Sequence, residues 1–140
     1  MATWQHELVE PPTEPRAREL WLQHAAGFII FEDVRRYAME QMDSTLPEDV
    51  HAAARKGIDD AVYGLMMVVD GVSGSLSNAS HTVHIDFIAR ITARGKPEGD
   101  SVLSEIDLRN GDGMSMGYHG WVEGDFGEDP VAVPRSVEGE

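Results

Sequence analysis

The amino-acid sequence predicts an α+β fold: a long antiparallel helical hairpin followed by a three-stranded antiparallel β-meander, with the helices packed on one sheet face. Three observations lead to this prediction. Apolar residues recur at steps of three and four up to residue 72, which is the period of an α-helix. From residue 82 the period changes to two, which is typical of a strand with one buried face. Asn110-Gly111 is then typical of a hairpin turn, because both residues tolerate a positive φ.

The first helix is predicted over residues 16–42, after an irregular arm at residues 1–15 that contains three prolines. Its middle, from Ala25 to Phe31, is apolar on almost every side, so we expect it to be buried. Gly27 lies in this stretch and costs about 1 kcal/mol in a helix interior relative to alanine. A close packing contact or a kink should therefore exist at Gly27.

The second helix is predicted over residues 45–72, with Thr45 as its N-cap and Glu48 completing a capping box. Asp70-Gly71 supplies the stop. Because the connection at Asp43-Ser44 is so short, the two helices should form an antiparallel hairpin spanning residues 16–72. The apolar line of the second helix comprises Val50, Ala54, Ile58, Ala61, Leu65, Val68 and Val72.

The sheet is predicted over residues 81–122, after a polar loop at 71–80. In the first strand, at 82–94, every second residue from Val83 to Ala93 should face the core. The second strand, at 101–109, should bury Val102, Ile106 and Leu108. The third strand is predicted at 114–122, and residues 123–140 form an acidic, partly flexible tail of the same single domain at 1–140.

The charge balance restricts the partners of this chain. It has 25 acidic and 11 basic side chains, for a formal charge of −14. Nucleic acid and anionic membranes should repel such a chain, whereas a basic protein should be attracted to it. The chain has no cysteine, no apolar run long enough to span a bilayer and no secretory signal at its N-terminus, so we expect a cytoplasmic protein.

One group of residues suggests chemistry. His84 and Asp86 should share a strand face, and His119 should join them from the third strand. Two imidazoles and a carboxylate are a possible metal-ligand set, or an acid–base set, so a small metal-dependent or acid–base enzyme is one hypothesis. An ordinary solvated sheet face is the simpler interpretation of the same residues. No motif predicts an organic cofactor.

The hypothesis we favour is a non-catalytic protein-binding module that resembles an inhibitor or an assembly partner and forms a homodimer. The sheet face turned away from the helices should display Ile88, Leu103 and Trp121, which could form an apolar patch. Tyr118 and Phe126 extend this predicted surface through the glycine- and aromatic-rich stretch 111–130. The alternative is that the N-terminal arm or the tail covers the patch internally.

Overall fold

The structure, a computed structural model, describes residues 2–95, 97–111, 113–125 and 130–136. It combines helices with antiparallel sheets, which confirms the α+β class. The three-stranded meander does not form among these residues. Their strands pair two by two, in three separate two-stranded sheets.

The two ends of the described chain pair with each other. Strand β1 (His6–Leu8) follows a short 3₁₀-helix (Ala2–Gln5) and runs antiparallel to β6 (Ala132–Pro134). Residues 1–15 were predicted to form an irregular arm and residues 123–140 an acidic, partly flexible tail, and the strand pairing between these two segments was not predicted. Each strand is only three residues long and its partner is distant in sequence, so no local period reveals it.

The first long helical segment contains a π-helical turn. Helix α1 (Pro15–Ile30) continues through that turn (Phe31–Arg36) into α2 (Tyr37–Glu40). The side chain of Glu14 caps the start of α1 by accepting hydrogen bonds from the backbone N–H groups of residues 16 and 17. The expected packing contact at Gly27 is present, because the ring of Trp121 lies directly against its Cα.

Helix α3 (Glu48–Val69) begins later than predicted and buries a different face. Its N-cap is Pro47, and Thr45 instead donates its N–H to Asp43 at 2.8 Å, so the predicted capping box does not form. The predicted stop is confirmed: Asp70 is the C-cap and Gly71 has a φ of 76°. The buried line comprises Val62, Met66 and Val69, about a quarter turn from the predicted line.

The predicted polar loop contains a strand. Strand β2 (Ser75–Ser77) pairs antiparallel with β3 (Thr82–His84), and both are exposed. The hairpin closes at Asn78, whose side-chain oxygen accepts hydrogen bonds from the N–H groups of Ser80 and His81. The predicted continuous strand 82–94 is therefore broken into two, with residues 85–87 between them.

The second hairpin joins β4 (Ile88–Ala93) to β5 (Ser101–Asp107). Its register confirms that residues 88, 90, 105 and 107 lie on one face. A β-bulge follows Ile91, because Ile91 pairs with Ser104 while the next residue pairs with Val102. Leu103 is the extra residue on β5. The bulge changes the phase of the strand, so Val102 is exposed instead of buried as predicted.

Residues 114–122 form a helix, α4 (Met114–Val122), and not the predicted third strand. A 3₁₀-turn (Leu108–Asn110) leads into it. The N–H of Met114 donates to Asp70 Oδ1 at 2.5 Å, so the carboxylate at the end of α3 caps α4. Met114, Tyr118 and Trp121 are spaced four and three apart, and all three side chains are buried.

The described residues form two apolar core clusters. The larger joins α3 and α4 with Phe31, and the smaller joins α1 with β4 and Val131. Ala89 and Ile106, which face each other across β4 and β5, pack against both clusters. The β4–β5 hairpin thus holds α1 against the α3–α4 pair.

Candidate functional site

A polar cluster links the π-helical turn to α3 and α4. Arg35 Nε donates a hydrogen bond to Asp59 Oδ1 at 2.6 Å, and the Tyr118 hydroxyl donates to the same oxygen at 2.8 Å. The guanidinium carbon of Arg35 also lies 4.8 Å from the centroid of the Phe31 ring, within cation–π range. Three helical segments therefore meet at one carboxylate oxygen.

The protonation states in this cluster are fixed near neutral pH. Partial burial raises the pKa of Asp59, but the hydrogen bonds from Arg35 and Tyr118 outweigh it and leave the pKa below its usual range. Burial, together with the hydrogen bond to Asp59, raises the pKa of the Tyr118 hydroxyl well above its usual range. An ionised Asp59 and a neutral Tyr118 suit a structural clamp, because neither group is near the pKa that proton transfer at pH 7 needs.

The structure brings together only part of the predicted metal set. His84 is the last residue of β3, and its Nε2 lies 3.4 Å from Oδ1 of Asp86, two residues further on. His119 lies on α4 instead of a strand, and its ring lies 5.2 Å from the Tyr63 ring between centroids, with the two ring planes tilted by 41°. Within the described ranges, no three His, Cys, Asp or Glu side chains are grouped closely enough to hold a metal ion.

An apolar groove runs between α1 and strand β4. Its volume is about 430 Å³. One wall is a stripe of α1 at helical spacing, and the opposite wall is formed by residues 87–92, with Leu8 of β1 at one end. Among the described residues, Arg90 is the only charged one that lines the groove, and its Nε lies 3.0 Å from Glu105 Oε2. The stripe on α1 comprises Leu22, Ala25, Ala26 and Ile29.

The groove is open to solvent and follows the free edge of β4. Ile29 is 53% exposed and Ile88 is 50% exposed. No residue of β5 lines the groove, so the groove lies on the side of β4 opposite its partner strand. Trp21 also lines the groove, and its buried indole N–H has no acceptor among the described residues.

The hydrogen-bond pattern identifies the free backbone groups at this edge. Leu108 N–H donates to the Phe87 carbonyl at 2.9 Å, so residues 87, 89 and 91 direct their backbone groups toward β5. In an antiparallel pair the intervening residues direct theirs outward. The N–H and C=O groups of Ile88 and Arg90 therefore face the groove side, and among the described residues no third strand pairs with them.

The predicted binding surface is divided. Ile88 and Leu103 are exposed on the β4–β5 hairpin, as predicted. Trp121 and Tyr118 are 8% and 3% exposed, and both belong to the larger core cluster. Trp121 packs against α1 at Gly27. Phe126 lies outside the described residues.

The groove itself escaped sequence analysis. The apolar residues on β4 and α1 were identified, and the predicted meander also left one edge of the first strand free. The position of α1 beside that edge is a contact between distant segments, so no local pattern shows it. The helix at residues 114–122 was missed as well. The spacing of Met114, Tyr118 and Trp121 was the one signal that favours the helix.

Comparisons with models of protein families, with curated proteins and with solved structures find no match. Within the described residues, no helix combines the length and the apolar character that crossing a membrane requires.

Proposed function

We propose that this chain is a non-catalytic protein-binding module whose groove between α1 and β4 holds an extended segment of a partner protein. One observation carries the proposal: an apolar groove lies directly beside an open strand edge. A bound strand can pair its backbone with an open edge while alternate side chains enter the groove. Main-chain hydrogen bonds then supply affinity, and the apolar wall supplies selectivity.

The proposed partner is basic, with apolar residues at every second position of the bound segment. The groove is the reason we expect apolar residues, since Arg90 is the one charged lining residue in the described part of the chain and is already paired with Glu105. The formal charge of −14 supplies the electrostatic requirement, because it attracts a basic partner and speeds the encounter. An acidic inhibitor of a basic protein, or an assembly partner, located in the cytoplasm, fits this description.

A matched pair of variants tests the groove. Ile29→Asp places a carboxylate at an exposed position that lines the groove. Val50→Asp is the control, because it adds the same charge at an exposed position of α3 away from the groove. Random peptides displayed on phage are selected on the wild-type chain alone, and the affinity of each selected peptide is then measured for the wild type and for both variants.

We expect the selected peptides to be basic, with alternating apolar residues. They should bind Val50→Asp like the wild type and bind Ile29→Asp at least tenfold more weakly, and added salt should weaken them. Binding should slow hydrogen exchange at the amides of Ile88 and Arg90. The amide of Glu105, on the outer edge of β5, is the internal control and should not change.

The location of the binding site and the mode of binding can be contradicted by separate results. Peptides that bind both aspartate variants equally, or a failure to select any peptide, would exclude the groove as the binding site. A second result is that the peptides need Ile29 but have apolar residues at helical spacing and do not protect the amides of Ile88 and Arg90. This result would support a binding module that uses the groove, but it would exclude strand pairing.

The alternative function is a small metal-dependent or acid–base enzyme that uses His84, Asp86 and His119. The contact between His84 and Asp86 is the observation in its favour. Metal analysis of the purified chain tests it, with His84→Ala as the comparison. Stoichiometric metal in the wild type that is lost in His84→Ala would favour the enzyme over the binding module.

A further inference from the structure

The hairpin formed by β2 and β3 has one apolar face that lies in solvent. Leu76 and Val83 are directly opposite each other in the register, so their side chains share a face. They are 79% and 68% exposed. Val72 and Ile85, at the base of the hairpin, are also exposed. Four large apolar side chains therefore lie close together in sequence on one projecting segment.

The other face of the same hairpin is polar. Ser75 pairs with His84, and Ser77 pairs with Thr82. The hydroxyl oxygens of Ser77 and Thr82 lie 3.0 Å apart, within hydrogen-bond distance. The hairpin is thus amphipathic, like a strand pair that covers a core. Its apolar face, however, is exposed to water instead of being packed.

Such a hairpin gains stability from a partner. Each strand has only three residues, and an isolated two-stranded hairpin is marginally stable in water. Exposed apolar patches of this kind mark interaction surfaces in proteins. The question is which partner the apolar face fits.

The charge distribution favours a second copy of this chain. Residues 71–85 contain no Asp, Glu, Lys or Arg, although the whole chain carries a formal charge of −14. Two copies repel each other wherever acidic surfaces meet, and this uncharged segment is a place where that repulsion is weakest. A basic partner gains nothing electrostatically from the same segment.

We infer that the apolar face of the β2–β3 hairpin is a self-association surface, which packs against the same face of a second copy about a two-fold axis. A two-fold interface needs a self-complementary patch, and the Leu76–Val83 pair supplies one. This surface is separate from the groove proposed above, since no residue of β2 or β3 lines that groove.

The available area sets the expected strength. Burying an aliphatic side chain of this size removes roughly 60–120 Å² of apolar surface from water. Four such side chains in each copy give a total of about 500–1,000 Å², which is below the roughly 1,200 Å² at which standard specific interfaces begin and is typical of weak, transient ones. We therefore expect a reversible dimer with a Kd of about 1–100 μM and not a permanent one.

Sedimentation velocity over a range of concentrations tests the inference. The disruptive variant combines Leu76→Thr with Val83→Thr, which places a β-branched residue with high strand propensity at both positions and removes most of the apolar face. The control combines Ser75→Thr with Ser77→Thr on the polar face of the same hairpin. Thermal melts at a concentration below the Kd verify that both variants keep the fold.

We expect the wild type and the control to shift from monomer to dimer, with the disruptive variant needing at least tenfold more protein. Added salt should strengthen the dimer, because it screens the repulsion between two acidic copies. A wild type that stays monomeric at about 0.5 mM in 0.5 M salt would overturn the inference. So would a dimer that the disruptive variant leaves intact. If Ile29→Asp abolishes that dimer, the second copy occupies the groove instead.

Discussion

Replacing Gly27 with alanine should destabilise the protein, although helix propensity alone predicts the opposite. Gly27 lies inside α1 and faces the indole of Trp121. A Cβ at this position would lie 2.6 Å from Cζ3 and 2.8 Å from Cζ2 of that ring, and closer still to Cη2. Favourable carbon–carbon contacts need about 3.5–4.0 Å. Because Trp121 is buried in the core with α4, the ring cannot move away without displacing that helix.

The magnitude follows from two opposing effects. Alanine gains about 1 kcal/mol over glycine in a helix interior. An inserted methyl group in a well-packed core costs about 1–3 kcal/mol, occasionally more, and three ring atoms within contact distance place this site at the upper end. We therefore expect Gly27→Ala to lower the free energy of unfolding by about 1–2 kcal/mol.

Urea denaturation measures this change against a matched control. Gly57 lies in α3, and a Cβ at this position would meet no atom within 4 Å outside the neighbouring backbone of its own helix. Gly57→Ala should therefore raise the free energy of unfolding by about 0.5–1 kcal/mol. The two Gly→Ala changes should thus have opposite signs. A Gly27→Ala protein as stable as the wild type would refute the reasoning.

A double-mutant cycle identifies the clash itself. Trp121→Phe removes the outer ring atoms that the new Cβ meets, so Gly27→Ala should cost less in that background than in the wild type. An unchanged cost would mean that the destabilisation arises elsewhere in α1.

The remaining predictions concern the core, the polar cluster and the charge. Ile58→Asp should lower the free energy of unfolding by several kcal/mol, because Ile58 packs against the larger cluster and a carboxylate there loses water without gaining a partner. A melting temperature within a few degrees of the wild type would contradict this prediction. Asp59 has a folded-state pKa below its unfolded value of about 3.9, so its stabilisation is present above that pH and is lost as the pH falls through the folded pKa. Asp59→Asn should accordingly be less stable than the wild type at pH 7, and the difference measured by urea denaturation should shrink below about pH 4; a constant difference would exclude the ion pair with Arg35 as its cause. With a formal charge of −14, the chain should give no mobility shift with duplex DNA at ordinary salt, and a shift that weakens with added salt would disprove the charge argument.

The sequence predicted those features that depend on local period and local stop signals. The long helix at α3 has enough turns for its period to be visible, and Asp70-Gly71 ends it as expected. The prediction of which face of α3 is buried was wrong, because α3 packs against α4, and residues 114–122 were not recognised as a helix. The residues of β4 that face outward were also predicted, because inward- and outward-facing side chains alternate regularly along β4 up to the bulge.

The features that escaped prediction depend on contacts between distant segments. Residues 114–122 fit a period of two as well as a helical spacing, and glycines at 117 and 120 weaken both interpretations. The cap that Asp70 provides to Met114 is a tertiary contact over 44 positions, so no local motif shows it. The groove likewise depends on α1 lying beside β4, a contact between segments about 60 positions apart in the chain that no local pattern shows.

The pairing of β1 with β6 affects how the chain is made. Arg135 Nε donates to the His6 carbonyl, a contact between residues 129 positions apart. At about 5–20 residues per second, synthesis of the two strands is separated by roughly 6–26 s. During that interval β1 has no partner, and Leu8, which forms one end of the groove, is not yet held in place. A growing chain therefore lacks the complete groove, and only a chain extended past residue 134 can present it.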